Sequence, residues 1–294
     1  MRRLRKLGLV GVGLIGGSLA LALKRANAVA EIAAFDRDRA ALARAAELGV
    51  IDSVAESASE TASAAEVVVV AVPVRAIGSV LHDVALTLDR DAVITDVGST
   101  KADVVRTARA ELRERIDRFV PGHPIAGRET SGVESAAADL FRNARVTLTP
   151  VPETDRKACD LVRTLWEAAG ARVTTLSPED HDRIFAAVSH LPHLLSFALV
   201  SEIASRVDSQ ELFGFAAGGF RDFTRIAASS PEMWRDIALQ NRDALLEELD
   251  RYGVRLAVFR ELIAKGDGQG LERLMTEARA SRQALATPRR GPTE

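Results

Sequence analysis

The chain of 294 residues is 47% hydrophobic and 27% charged, with 39 Lys and Arg against 41 Asp and Glu, a formal charge of -2. That length suits two domains and that apolar share builds real cores, which excludes wholesale disorder. The near-neutral balance argues against a nucleic-acid binder, and a single cysteine, Cys159, excludes an internal disulfide framework or a cysteine-based zinc site.

The first residues imitate a secretory signal: a basic start at 1–6, an uncharged run at 7–23, and Ala26-Asn27-Ala28 as a cleavage-like triplet. The run is longer than a signal core, and its glycines, Gly8, Gly11, Gly13, Gly16 and Gly17, are better explained by a nucleotide site. No other stretch reaches an uninterrupted apolar membrane span, so the expectation is a cytoplasmic protein with no membrane partner.

Short apolar runs then alternate with helical patterns. Strands are expected at 7–10, 32–35, 67–72, 92–95 and 118–120, and helices at 14–25, 39–48 and 101–115, with a further helix closing at Glu66. Strands at 146–149 and 172–175 flank a helix at 156–169. A β-branched run such as 67–72 between helices fits a parallel sheet covered on both faces, and the alternation predicts a doubly wound, Rossmann-type α/β domain over 1–176. The texture changes at Ser177-Pro178-Glu179-Asp180, a good N-cap followed by a proline suited to the first helical turn. Helical periodicity covers 179–206, 232–265 and 270–285, predicting an all-helical domain over 177–286 and a disordered tail at 287–294. Leu194, Leu195, Phe197, Leu199 and Val200 crowd more than one face of one helix, which calls for a partner surface.

Gly11-Val12-Gly13-Leu14-Ile15-Gly16 follows a predicted strand and opens a predicted helix, the context of a dinucleotide fingerprint. Gly11 allows the tight turn, Gly13 lets backbone approach a pyrophosphate at the helix N-terminus, and Gly16 lets helix and strand pack closely. Asp36, at the end of the second strand, suits the ribose hydroxyls and would repel a 2′-phosphate, favouring NAD, although neighbouring Arg37 could meet that phosphate. Ala71-Val72-Pro73-Val74 and Asp96-Val97-Gly98-Ser99-Thr100-Lys101 end the third and fourth strands and should face the nicotinamide half. The cofactor-binding set is thus Gly11, Gly13, Leu14, Ile15, Gly16, Asp36, Val72 and Pro73.

Of the five histidines, His82 reads as a surface residue. His123 sits in a loop stiffened by prolines and glycines after a strand end, a setting for catalysis. His190 and His193, spaced i and i+3, share a helix face; with His181 they imitate a metal set, but no metal-binding motif accompanies them and none is expected. Arg221 and Arg225 follow a glycine turn and suit a carboxylate clamp or a solvated cluster.

Together these segments resemble the prephenate/arogenate dehydrogenase family of tyrosine biosynthesis, over about 7–286. The carriers are the glycine motif, Asp96 to Lys101, Gly122-His123-Pro124-Ile125-Ala126-Gly127-Arg128-Glu129-x-Ser131-Gly132, Ser189-His190-Leu191-Pro192-His193, Gly219 to Ala227, and Trp234. The resemblance implies an NAD(P) domain joined to a helical dimerisation domain, oxidising the ring alcohol of prephenate or arogenate with loss of carbon dioxide. It implies His123 as catalytic histidine and Ser99 as the serine orienting it. It implies Arg225 and His193 as substrate-binding groups and Glu129 as an acidic gate, with Asp222 and Trp234 reaching the site region across the dimer. The expected activity is NAD-dependent prephenate dehydrogenation in a homodimer. Arogenate or dual use is the alternative, with a 3-hydroxyacid or imine reductase, or a non-catalytic NAD sensor, more distant.

Overall fold

The computed structural model describes residues 2–128 and 130–286. Glu129 and the expected tail at 287–294 lie outside the described residues. From the N-terminus, β1 (Leu4–Val10), α1 (Leu14–Arg25), β2 (Val29–Phe35), α2 (Arg39–Glu47), β3 (Ser53–Val54), α3 (Ala58–Ala62), β4 (Val67–Val70), α4 (Ile77–Ala85), β5 (Val93–Asp96), α5 (Ala102–Leu112) and β6 (Phe119–Val120) alternate along the chain. The strands form one sheet in the order β3-β2-β1-β4-β5-β6, every pair parallel, which is the doubly wound dinucleotide-binding order. The glycine-rich start is therefore folded into β1, its turn and α1.

Burial explains the valine run. Val67 and Val69 of β4 join Leu7, Leu9, Ile32 and Leu19 on one face of the sheet. Val68 and Val70 join Val10, Ile94, Leu81 and Val104 on the other. Both faces are covered, so no polar alternation is needed. The helix before β4 ends at Ala62 rather than Glu66, and Glu66 instead accepts the Arg5 amide at 2.5 Å.

After β6 the chain leaves this sheet. β7 (Gly122–Ile125) pairs antiparallel with β8 (Arg145–Leu148), which pairs parallel with β9 (Arg172–Thr175) across α6 (Arg156–Ala168). His123 therefore lies in a strand, opposite Thr147, not in a loop. Trp166 of α6 is fully buried and meets Phe141 edge-on at 5.1 Å.

Among the described residues, 177–286 contains no strand. α7 (Pro178–Phe185) is capped by Ser177, whose hydroxyl accepts the Asp180 amide at 3.0 Å. A π-helical turn, Ala186–His190, leads into α8 (Leu191–Ala204). Pro192 has no amide to return to the preceding turn, a known cause of such a widened turn. Then come α9 (Ser209–Gly214), α10 (Gly218–Thr224), a 3₁₀ turn at Arg225–Ala228, α11 (Pro231–Gln240), α12 (Arg242–Lys265) and α13 (Gly268–Ala286). The expected single helix over 232–265 is broken at Asn241.

Pro178–Ala204 holds an 18-residue window of mean hydropathy 1.6 and is long and apolar enough to cross a membrane, contrary to the expectation that no such stretch exists. Its His181, Asp182 and His190 are buried and hydrogen-bonded within the chain. Composition turns helical at 177, whereas compactness divides the chain into Met1–Leu245 and Leu246–Glu294. The second unit is a helical hairpin whose turn uses Gly266, at φ +65°, and whose second helix is capped by the Asp267 carboxylate on the Gly270 amide at 2.8 Å.

Candidate active site

The carboxyl ends of β1, β2 and β4 border a cavity of about 350 Å³ lined by Gly11, Gly13, Asp36, Arg37, Val72 and Pro73, among others. The three glycines of the fingerprint are required for different reasons. Gly11 has φ +98°, and a Cβ there would lie 2.2 Å from the Ala71 carbonyl oxygen. A Cβ on Gly16 would lie 2.1 Å from the Gly11 oxygen, so α1 packs closely only because it is absent. A Cβ on Gly13 would meet nothing within 4 Å: the backbone there borders open space. Among the described residues no side chain caps α1, which leaves the Leu14 and Ile15 amides at its positive end. Asp36 accepts the Val12 amide at 2.9 Å and the Asp38 amide at 2.9 Å, tying the glycine turn to the end of β2. These residues fit a dinucleotide: an uncapped helix end for pyrophosphate and a carboxylate beside it for ribose.

A second cavity, about 440 Å³, holds Ser99, Pro124, Phe185, His193, Trp234 and His123 among its walls. Ser99 follows β5 and His123 follows β6, so both stand at strand ends of the first sheet. His123 Nδ1 lies 2.8 Å from His181 Nε2, and His181 Nδ1 lies 2.8 Å from Asp182 Oδ1. The Asp182 carboxylate also accepts the Lys101 and Ala102 amides, each at 2.8 Å, so a residue of α7 caps the start of α5. Phe185 packs on both imidazoles, 5.0 Å from His123 and 4.4 Å from His181. Burial, then the neighbouring His181, Lys101 and His190, hold the His123 pKa well below 6.5.

The strand carrying His123 is clamped from below. The Lys101 ammonium pairs with the Asp96 carboxylate, both fully buried, and donates to the Gly122 carbonyl at 2.7 Å. Asp96 accepts the Gly98 amide at 2.7 Å and the Gly122 amide at 3.1 Å. Both backbone groups of the residue before His123 are thereby fixed by one ion pair.

On the opposite wall His193 stacks on Trp234, with centroids 3.6 Å apart and planes 20° from parallel. Its Nδ1 hydrogen donates to the Ser189 carbonyl at 2.9 Å. Burial lowers its pKa, the Ser189 bond opposes this, and the Arg225 charge lowers it further, placing that guanidinium within electrostatic reach. His190 is a buried residue of the cavity lining, and its Nδ1 accepts from Asn241 Nδ2 at 3.0 Å while the same amide group donates to the Asp182 carbonyl at 2.8 Å.

Of the expected residues, Ser99, His123 and His193 line one cavity and Arg225 acts on His193. Gly11, Gly13, Asp36, Val72 and Pro73 line the other. Among the described residues, His123 is hydrogen-bonded through Nδ1 to His181. Trp234 lines the cavity of its own chain. Arg128 turns toward the Ser135 carbonyl at 3.5 Å, and His82 is an exposed residue paired with Glu111. His181, Asp182 and Asn241 were absent from the expected set. Only the Ser177 cap hinted at them, because it fixes where α7 begins and hence which side chains point at α5.

The chain matches the family model for the nucleotide-binding domain of prephenate dehydrogenase over residues 19–175 and that for its dimerization domain over 177–277. Cyclohexadienyl dehydrogenase of Zymomonas mobilis is 35% identical over 285 residues, covering 96% of this chain and 97% of that protein. Prephenate dehydrogenase of Bacillus subtilis is 39% identical over 285 residues, covering 96% and 76%. Prephenate dehydrogenase from A. aeolicus, solved with hydroxyphenyl propionate and NAD+, aligns with a TM-score of 0.90 at 36% identity, over 96% of this chain and 98% of that one. The chain belongs to the prephenate dehydrogenase family of oxidoreductases.

Proposed function

We propose that the chain oxidises prephenate with NAD+, releasing carbon dioxide and 4-hydroxyphenylpyruvate. The observation that carries this reading is the second cavity: a neutral, oriented imidazole on one wall and a cationic, aromatic-backed wall opposite. Gly11, Gly13, the Leu14 and Ile15 amides, Gly16, Asp36, Val72 and Pro73 are the residues to hold NAD+, and the Asp36 carboxylate disfavours a 2′-phosphate. When bound, NAD+ supplies the acceptor for the hydride leaving the ring carbon that bears the hydroxyl. His123 takes the hydroxyl proton, a task suited to an imidazole kept unprotonated by burial. Arg225 and His193 hold a substrate carboxylate, keeping the ring in register while it loses carbon dioxide and becomes aromatic. Ser99, which lines the same cavity as His123, would meet the ring hydroxyl.

Prephenate is a dianion, whereas arogenate adds an ammonium, and the Arg225 charge that acts on His193 favours the former. The Z. mobilis relative, named cyclohexadienyl dehydrogenase, makes arogenate the second reading. The deciding experiment is kcat/KM for both substrates with NAD+ and NADP+, followed by reduced-cofactor absorbance. Prephenate with NAD+ should give the highest value; equal or better turnover of arogenate would overturn the preference. The dimerization-domain match and outward apolar side chains at Val254 (68% exposed) and Ile263 (65%) support a homodimer through the helical region. Because the signal-like start is folded into the nucleotide-binding sheet, the same reading places the enzyme in the cytoplasm.

A further inference from the structure

We propose that His123, His181 and Asp182 form a one-way hydrogen-bond relay that fixes His123 in the Nδ1–H tautomer and presents its Nε2 lone pair to the substrate. His181 and Asp182 are then positioning residues for the reaction. The inference rests on the reading of His123 as the base.

The direction of the relay follows from groups that cannot reverse. Backbone amides only donate, so the bonds from Lys101 and Ala102, each 2.8 Å, hold Asp182 as an acceptor. Its third bond, 2.8 Å to His181 Nδ1, must therefore come from a hydrogen on that nitrogen. A neutral imidazole with hydrogen on Nδ1 carries its lone pair on Nε2. That nitrogen is 2.8 Å from His123 Nδ1, which must in turn carry hydrogen. The remaining nitrogen of His123, Nε2, is left as the acceptor. Burial depresses the pKa values of both imidazoles, so both are neutral at physiological pH and the chain of directions holds. When His123 takes a proton on Nε2, no proton needs to move along the relay; Nδ1–H stays on His181.

The relay is anchored at its far end. Asp182 is 4% exposed, and Asn241 Nδ2 donates to its backbone carbonyl at 2.8 Å. His181 is fully buried and packs on Phe185, and its ring cannot turn without breaking the bonds to His123 and Asp182 on either side.

The test uses the full chain in its native assembly. Histidine nitrogen NMR at about pH 8 should show hydrogen on Nδ1 and a bare Nε2 for both His123 and His181. His181→Phe keeps a ring against Phe185 but offers no acceptor; His181→Gln restores an amide oxygen toward His123 and an N–H toward Asp182. The phenylalanine variant should lose about 100-fold in kcat with NAD+ affinity unchanged, and the glutamine variant should recover to within about tenfold of wild type. Wild-type turnover in the phenylalanine variant, equal loss in both variants, or hydrogen on His123 Nε2 in the wild type would each overturn the relay. Failure of the wild-type enzyme to turn over prephenate or arogenate would overturn the functional reading instead. If the phenylalanine variant does not fold, the wild-type tautomers still decide.

Discussion

Mild acid should destabilise this protein before its carboxylates titrate. His190 is 1% exposed, and burial, reinforced by His181 and His193 and opposed by Asp182, brings its pKa from 6.5 down to about 4. The unfolded chain takes up a proton near 6.5 and the folded chain not until about 4, so the unfolded state binds more protons throughout that window. Stability is fully present above the unfolded value and falls as pH falls. The gap from 6.5 to about 4 is worth about 3 kcal/mol once the pH is below both, of which about 2 kcal/mol is gone by about pH 5. His123 and His181, also held below 6.5 by burial, add in the same direction. Glu66, Glu153 and Glu261 lie below their ordinary 4.5, so their contributions are lost at more acid pH and leave the window to the histidines. Urea unfolding, followed by fluorescence of Trp166 and Trp234, would measure the loss between about pH 7 and about pH 5. His190→Gln, which keeps an amide near Asn241, should flatten the dependence by about 2 kcal/mol. A pH-independent midpoint in the wild type, or an undiminished slope in the variant, would refute the reasoning.

The two glycines of the nucleotide turn should separate fold from binding. Gly13→Ala, with nothing within 4 Å of the new Cβ, should leave Tm nearly unchanged and weaken NAD+ by about tenfold or more in calorimetry. Gly11→Ala, with φ +98° and a backbone oxygen 2.2 Å from the new atom, should lower stability by about 1–3 kcal/mol as well. Lys101→Met leaves the Asp96 carboxylate buried without its cation and should cost about 3–5 kcal/mol in chemical denaturation, with turnover reduced because Gly122 loses its clamp.

Much of the nucleotide half was legible because its signals are local. The helix expected at 14–25 and the strand at 172–175 coincide with α1 and β9, where period and flanking residues agree. β7 was missed because Gly122 and Pro124 read as loop residues; only pairing with β8, far along the chain, makes them a strand. The break at Asn241 and the π-helical turn before Pro192 depend on packing against neighbours and leave no periodic trace. Pro178–Ala204 escaped the membrane criterion because its charged start hides the apolar run that follows. Motif resemblance singles out His123 as a candidate, but His181 stands 58 residues away in sequence, and nothing in the order of residues shows that the two rings meet. The Asp96 to Lys101 motif is legible as a segment facing the nicotinamide half; its buried ion pair and its hold on Gly122 become visible only with the second sheet in place.

The central claim is that the His123 imidazole is the proton acceptor beside a bound nicotinamide, and turnover and cofactor affinity of His123→Asn, measured side by side with prephenate and NAD+, test it most directly. The account predicts a fall in kcat of at least about 100-fold with NAD+ binding essentially intact. Turnover close to that of the wild type would remove His123 from the chemistry and contradict the account.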